Sequence, residues 1–599
     1  MSGVEVRPLS RLRTIAGRPP GGRHLWIVAG LIVLAVAAPA VVGVISGSIL
    51  AAHNDDFAYR RAAIALYQTG HFQLTGWAVM TLVGLLVATQ PLLWLAGGGP
   101  LAFAATTAVF GVIAIVASYS LARRVLSPGL AGFAVLLMEL LPGFMLYTTA
   151  YMTEVPAIAL EMACLAIGAA ALQRSPAEHR WAWLVASLTV GCYAFSIRDY
   201  ALAAPIAVLV TAAASERRGR TFPYAVAAVA VVTVCLAIYR YSASLPGQEG
   251  VGLQAPTPET VRRVLDAVGP VAFTLSPALL IALRNWIPHW WRSPRRRDAL
   301  LGATAGMGVA AIVNLDRLLA LIGAGPRDLP PMFVGNVFTQ FGSLGPLVFA
   351  GDRPLLYPTL AWDVLNGVAM AAAFVALAFL GAFLVAERRR LLDALDVGAR
   401  PTCLGSPTGM LAVFAVVFAA GTILLGVTVI LFDRYTWPLV LPLAVLLLVR
   451  PDPRPAVVPA GRETGVLILS GALVALIATT SMVLFLNAAA FDSARWRMGD
   501  AAVRLGFAAE TVDAGLEWVG FHATGLARLA APGAPSMTEY AVKFPSFHQC
   551  AVASSTPLDF PGFTLILTQA DGYRLLLFAG PTEPMYLYRV AREGCPLGR

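Results

Sequence analysis

"AAHNDDFAYRRAAIALYQTGHF", residues 51–72, follows the first long apolar run of the chain and sets two adjacent carboxylates, Asp55 and Asp56, where a membrane helix would leave the lipid. The surrounding composition makes that position costly for charge. Of 599 residues, 58% are hydrophobic and 13% are charged, and the mean hydropathy is +0.73. The apolar residues gather in runs of about 20, the length a helix needs to cross a bilayer. The pattern predicts an all-α polytopic membrane protein.

Outward from this stretch, the charge distribution orients the chain. The formal net charge is +10, and Lys543 is the only lysine among 43 basic residues. Arginines cluster before residue 24, at Arg123 and Arg124, at Arg217 to Arg220, at Arg292 to Arg297, at Arg388 to Arg390, and from Arg450 to Arg462. These clusters fall in alternate loops, the bias of cytoplasmic loops in membrane proteins, and a nucleic-acid partner is not indicated. The N-terminus is therefore expected in the cytoplasm and the "HNDDFAY" loop outside. The apolar run from Leu25 to Ile49 is longer than the core of a secretory signal and reads as an uncleaved first span. Arginine used almost to the exclusion of lysine points to a GC-rich bacterial source and a plasma-membrane location.

About thirteen spans are predicted, near 25–49, 100–121, 130–147, 155–172, 181–197, 200–214, 223–241, 268–283, 299–321, 362–386, 410–432, 437–449 and 466–486. The run 76–98 has the length of a span, but counting it would place Arg123 and Arg124 outside; it is expected to be re-entrant or surface-lying. The predicted organisation is a basic cytoplasmic segment 1–24, a membrane domain 25–486 with an external loop 51–98, and an extracytoplasmic mixed α/β domain 487–599. Segments 242–266 and 323–361 are also expected outside, the latter irregular because of its Gly and Pro density. In the last domain "FTLILT" and "YRLLLFAG" read as strands. Cys550 and Cys595 lie there, in an oxidising compartment, and are expected to pair.

Ionisable residues at span ends are the candidates for chemistry. Asp55 and Asp56, with His53, His71 and Tyr59 nearby, offer a general base or a cation site, or simply a cap for the following helix. Glu154 in "YMTEVPAIAL" sits beside Pro156 at a helix start, where acids also cap. Arg198 in "FSIRDYALAAP" and Arg434 in "LFDRYTWPLVLP" interrupt apolar stretches, where an arginine is either paired structurally or held for a phosphate. Asp55, Glu154, Arg198 and Arg434 all emerge on the same predicted side.

The order of these motifs resembles the GT-C fold glycosyltransferases that use polyprenyl-phosphate sugars, in the branch of protein mannosyltransferases and lipid A aminoarabinose transferases. The matching pieces are "NDDFAY" after the first span, "GHF" and "QPLLWLAGG" in the external loop, "TEVP", "RDYALAAP" and "DRYTWPLVLP", over about residues 25–450. The resemblance implies Asp55 as catalytic base, Asp56 where many relatives have Glu, Arg198 and Arg434 on the lipid phosphate, and Tyr59 and Glu154 shaping the acceptor or sugar site. It implies a polyprenyl-phosphate-linked sugar donor, an extracytoplasmic acceptor and an inverting displacement; two carboxylates permit a divalent metal without requiring one. The alternative is a secondary transporter or lipid flippase, although no internal repeat is present.

The orientation is directly testable. Cysteine-accessibility labelling at Gln73 and Ser293 is expected to mark opposite membrane faces, and labelling of both from one side would refute the assignment.

Overall fold

The computed structural model describes residues 22–77, 80–174, 179–216, 221–249, 255–321, 336–343, 349–388, 403–428, 431–451, 460–527 and 543–595. Part of the expected external segment 323–361 lies outside the described residues. Among them, eight helices are long and apolar enough to cross a membrane: Gly22–Ser46, Leu101–Ala122, Glu154–Leu172, Phe222–Ala243, Gly269–Trp291, Thr359–Ala386, Pro407–Thr428 and Thr464–Arg504. Leu101–Ala122 shows why, because 22 residues without a charged side chain make a rod of about 33 Å, enough for the hydrocarbon layer. The chain is a multi-pass membrane protein. A helix stands at each of the thirteen predicted positions, but those at Pro128–Glu139, Arg180–Phe195, Asp199–Ala214, Arg296–Val313 and Val440–Leu448 are shorter or less apolar than a span requires by length and composition.

Burial separates centre from periphery. The helix Glu154–Leu172 is 83% buried within the protein, whereas Phe222–Ala243 is 17% buried and leaves its apolar face for lipid. Arg296–Val313 packs on Thr359–Ala386 through glycines. A Cβ on Gly302 would lie 2.1 Å from the Gly381 carbonyl oxygen, and one on Gly306 2.1 Å from that of Leu377. This Gly-xxx-Gly spacing lets the two backbones touch.

Two elements differ from expectation, at 130–147 and at 487. The run 130–147 breaks after Glu139 and resumes as Phe144–Tyr147, because Pro142 lacks an N–H and Gly143 adopts a left-handed φ of 97°. The run 76–98 is, as expected, too short in its helix to span: the 13 residues of Val83–Leu95 reach about 20 Å, short of a bilayer. The last helix does not stop at 486 but continues unbroken as Ala460–Arg504. The boundary expected at 487 therefore falls inside a helix. Composition does change there, but "LNAAAFDSARWRMGDAAVR" is rich in helix formers and free of proline, so the backbone carries on.

The C-terminal region then forms a four-stranded sheet from β1 (Val512–Asp513), β2 (Ala551–Ser554), β3 (Phe563–Arg574) and β4 (Thr582–Val590), in the order β1-β2-β4-β3. β1 and β2 run parallel and the other neighbours antiparallel, with Phe563 opposite Val590 and Arg574 opposite Thr582. "FTLILT" lies in β3. "YRLLLFAG" only finishes β3 and then turns, and the returning strand starts after Pro581, beyond the predicted stretch. Phe491 and Met498 of the long helix share a core with Trp518, Met585 and Leu587, so this sheet packs on the helix that leaves the membrane domain.

Cys550 and Cys595 form a disulfide with Cα atoms 5.4 Å apart, closing a 45-residue separation from the start of β2 to the tail beyond β4. Loop-closure entropy assigns this link roughly 4 kcal/mol. Cys595→Ser is expected to lower the unfolding stability of the C-terminal region by that order, and a denaturation midpoint equal to wild type under oxidising conditions would contradict it.

Candidate functional site

The acidic stretch is shaped first by its backbone. Asn54 takes a left-handed φ of 56°, which turns the chain sharply before the helix Asp56–Thr69. Asp55 holds the position of an N-cap, yet its carboxylate makes no bond to the helix. Instead Oδ1 accepts the indole N–H of Trp77 at 2.8 Å and Oδ2 accepts a guanidinium N–H of Arg434 at 2.7 Å. Capping is thus not what this side chain does.

Asp56 has different company. Its Oδ1 accepts the backbone N–H of His53 at 2.8 Å, and its Oδ2 accepts the Arg60 guanidinium at 2.8 Å and the Tyr151 backbone N–H at 3.3 Å. Burial pushes its carboxyl up to about 6, with Arg60 and the backbone donors pulling the other way. Asp56 stitches the turn to the helix start and to the segment before Glu154. It is not bonded to either arginine of the site.

Glu154 opens the helix Glu154–Leu172, and one of its oxygens serves two cations. Oε1 lies 2.9 Å from Arg198 Nη2 and 2.9 Å from Arg434 Nε. Arg198 precedes a short 3-10 turn at Asp199–Leu202, and Arg434 sits in another at Asp433–Leu439. The Tyr435 ring lies 4.8 Å from the Arg198 guanidinium carbon and 5.5 Å from that of Arg434. Arg434 also donates to the Asn336 side-chain oxygen. Asp433 does not join the cluster; it accepts the backbone N–H groups of Val337, Phe338 and Arg434 and so fixes the loop beside it.

Four expected residues from distant parts of the chain therefore meet: Asp55, Arg434, Glu154 and Arg198 form a continuous row of alternating charge. Two carboxylates balance two guanidiniums. Burial alone would lower the Arg198 guanidinium, but Glu154 raises it above its ordinary value, so it stays charged. Tyr59 lies one turn after Asp55, and burial together with Asp55 pushes its hydroxyl well up, so it is a neutral neighbour of the row. Side-chain exposure is 0% for Glu154, 3% for each arginine and 15% for Asp55. Asp55 is the end of the row that reaches the surface.

A divalent cation fits this donor set poorly, since both carboxylates are engaged by arginine. Among the described residues the one group of three potential ligands is His548, Cys550 and Cys595, two of which are joined as the disulfide.

A second buried network joins His53, noted beside the acidic pair in the sequence, to residues that were not singled out. His53 Nδ1 lies 2.5 Å from Asp492 Oδ2, and its Nε2 lies 3.2 Å from the Ser343 hydroxyl. Arg495 pairs with Asp492 at 2.9 Å and with Glu517, whose other oxygen accepts the Asn54 backbone N–H at 3.0 Å. For the others the only sequence signal was four charged residues, Asp492, Arg495, Arg497 and Asp500, in helix-forming surroundings. Trp77 was likewise missed, since a tryptophan in an apolar run carries no mark of its partner.

Comparison with known proteins bears on this geometry. Residues 89–240, about a quarter of the chain, match the family described as dolichyl-phosphate-mannose-protein mannosyltransferase; Glu154 and Arg198 fall within the match, Asp55 and Arg434 outside it. A search of curated proteins returns no match. Among solved structures, the oligosaccharyltransferase AglB from Archaeoglobus fulgidus, in complex with an inhibitory peptide and a dolichol-phosphate, is 14% identical over 88% of this chain and 64% of its own, with a TM-score of 0.40. ArnT from Cupriavidus metallidurans, bound to undecaprenyl phosphate, is 13% identical over 95% of this chain and 99% of its own, with a TM-score of 0.41. The apo form of the Archaeoglobus fulgidus oligosaccharyltransferase is 12% identical over 96% and 76%, with a TM-score of 0.45. The chain thus spans just under two thirds of the AglB structure. The family match agrees with the resemblance carried by "TEVP" and "RDYALAAP", which lie inside it, to glycosyltransferases that use polyprenyl-phosphate sugars.

Proposed function

We propose that this protein is an integral-membrane glycosyltransferase that moves a sugar from a polyprenyl-phosphate carrier to an acceptor on the extracytoplasmic face. The observation that carries the reading is the row Asp55, Arg434, Glu154, Arg198, with its carboxylate end open and its arginines buried. The family match over residues 89–240 supports it over a transporter or flippase. In this reading the C-terminal domain lies outside with the site, and a bacterial chain would use undecaprenyl or decaprenyl phosphate.

In this reading the acceptor oxygen attacks the anomeric carbon while Asp55 takes the acceptor proton, and the bond from that carbon to the carrier phosphate breaks. Arg198 and Arg434 meet the charge that develops on the leaving phosphate. One displacement inverts the anomer. In the observed arrangement both oxygens of Asp55 already accept hydrogen bonds. A phosphate that draws N–H donors of Arg434 to itself releases Oδ2 for the proton, so carrier binding readies the base. Glu154 keeps Arg198 and Arg434 together, and Tyr59 borders the sugar or acceptor.

Purified protein incubated with radiolabelled polyprenyl-phosphate sugars tests the reading. Asp55→Asn keeps size but removes the proton acceptor, so transfer is expected to fall about a hundredfold or more with the melting temperature near wild type. Near-wild-type turnover in Asp55→Asn would remove Asp55 from the mechanism. Arg198→Lys and Arg434→Lys keep charge but lose the planar fork, and each is expected to weaken carrier binding. Carrier binding unchanged in both would leave the arginines a structural role only.

A further inference from the structure

We infer that the C-terminal region is a working part of the transfer site and that Trp77 is the positioning residue through which it holds Asp55. The inference rests on the function proposed above. Two donors orient the Asp55 carboxylate, Arg434 on Oδ2 and the Trp77 indole N–H on Oδ1. If Arg434 turns to a phosphate, Trp77 is, among the described residues, the remaining side-chain donor on this carboxylate. It keeps one oxygen engaged while the other accepts the acceptor proton.

Trp77 is itself held from the far end of the sequence. Phe544 stacks on its indole at a centroid distance of 5.7 Å and an interplanar angle of 10°, and the Lys543 ammonium lies 5.7 Å from the ring centroid. The backbone before Trp77 is pinned as well: the Ala527 N–H donates to the Thr75 carbonyl at 2.8 Å, and a Cβ on Gly76 would lie 2.1 Å from the Ala527 carbonyl oxygen. On the other side of Asp55, Glu517 accepts the Asn54 N–H and Arg495 donates to the Ala52 carbonyl at 3.4 Å. The C-terminal region thus grips the backbone just before the carboxylate and the side chain that bonds it. Packing alone would need the indole ring but not its N–H on a carboxylate.

Trp77→Phe removes the donor and keeps an aromatic ring for Phe544 and Phe57. In the radiolabelled-carrier assay its kcat is expected to fall roughly tenfold, the scale of one hydrogen bond to a charged group, while KM for the carrier holds. Phe544→Leu is expected to lower kcat in the same direction by less. Wild-type kcat in Trp77→Phe, or a loss confined to KM, would overturn the positioning role, and wild-type kcat in Phe544→Leu would overturn the part assigned to the C-terminal region. A second readout needs no activity. Melting temperatures of Asp55→Ala, Trp77→Phe and the double variant are expected to be non-additive, and strictly additive losses would overturn the contact even if no carrier tested were a donor substrate.

Discussion

One carboxylate oxygen, Glu154 Oε1, lies within 2.9 Å of nitrogens from two buried guanidiniums, and the arrangement of the site depends on it. Stripping two arginines of water is expensive, and a carboxylate shared between them at short range offsets part of that cost. The pairing ties together the ends of three helical stretches that begin near residues 154, 199 and 433. Each supplies an ionisable residue where its apolar run ends. Without Glu154, Arg198 and Arg434 would be two buried like charges side by side.

This arrangement leaves a graded site. Charge is balanced across the row, exposure rises from Glu154 to Asp55, and Tyr435 gives both guanidiniums an aromatic face. Asp55 and Asp56 show how neighbours in sequence separate in role. Asp56 is enclosed by backbone donors and Arg60, whereas Asp55 faces Arg434 and Trp77. Adjacent residues at a helix start point in different directions, so one serves the turn and the other the site.

The long helix Ala460–Arg504 couples membrane and C-terminal regions. Its first part is apolar and its second carries Asn487, Asp492 and Arg495, which bond to the loops that frame the acidic stretch. A sheet packed on the same helix and closed by the disulfide steadies Glu517 against Asn54. An unbroken helix transmits position better than a flexible linker, which is why the composition change at 487 is not a hinge.

Helices were legible in the sequence because apolar runs and their breakers are local, and a helix stands wherever one was predicted. Asp55, Glu154, Arg198 and Arg434 were legible because charge at the end of an apolar run is costly and therefore conspicuous. Their meeting was not, nor was the division of labour between Asp55 and Asp56, because it depends on contacts such as that between Asp55 and Arg434, 379 residues apart. Trp77, Glu517 and the pairing of Asp492 with His53 and Arg495 were not legible for the same reason, and the second strand of the C-terminal hairpin was misplaced because its register is set by pairing across the turn. The sequence alone located the main apolar helical runs and the charged residues at their ends. Only the tertiary structure decided which of those charges share a proton acceptor, a guanidinium or an indole, since hydrogen-bond partners are selected by distance in space and not along the chain.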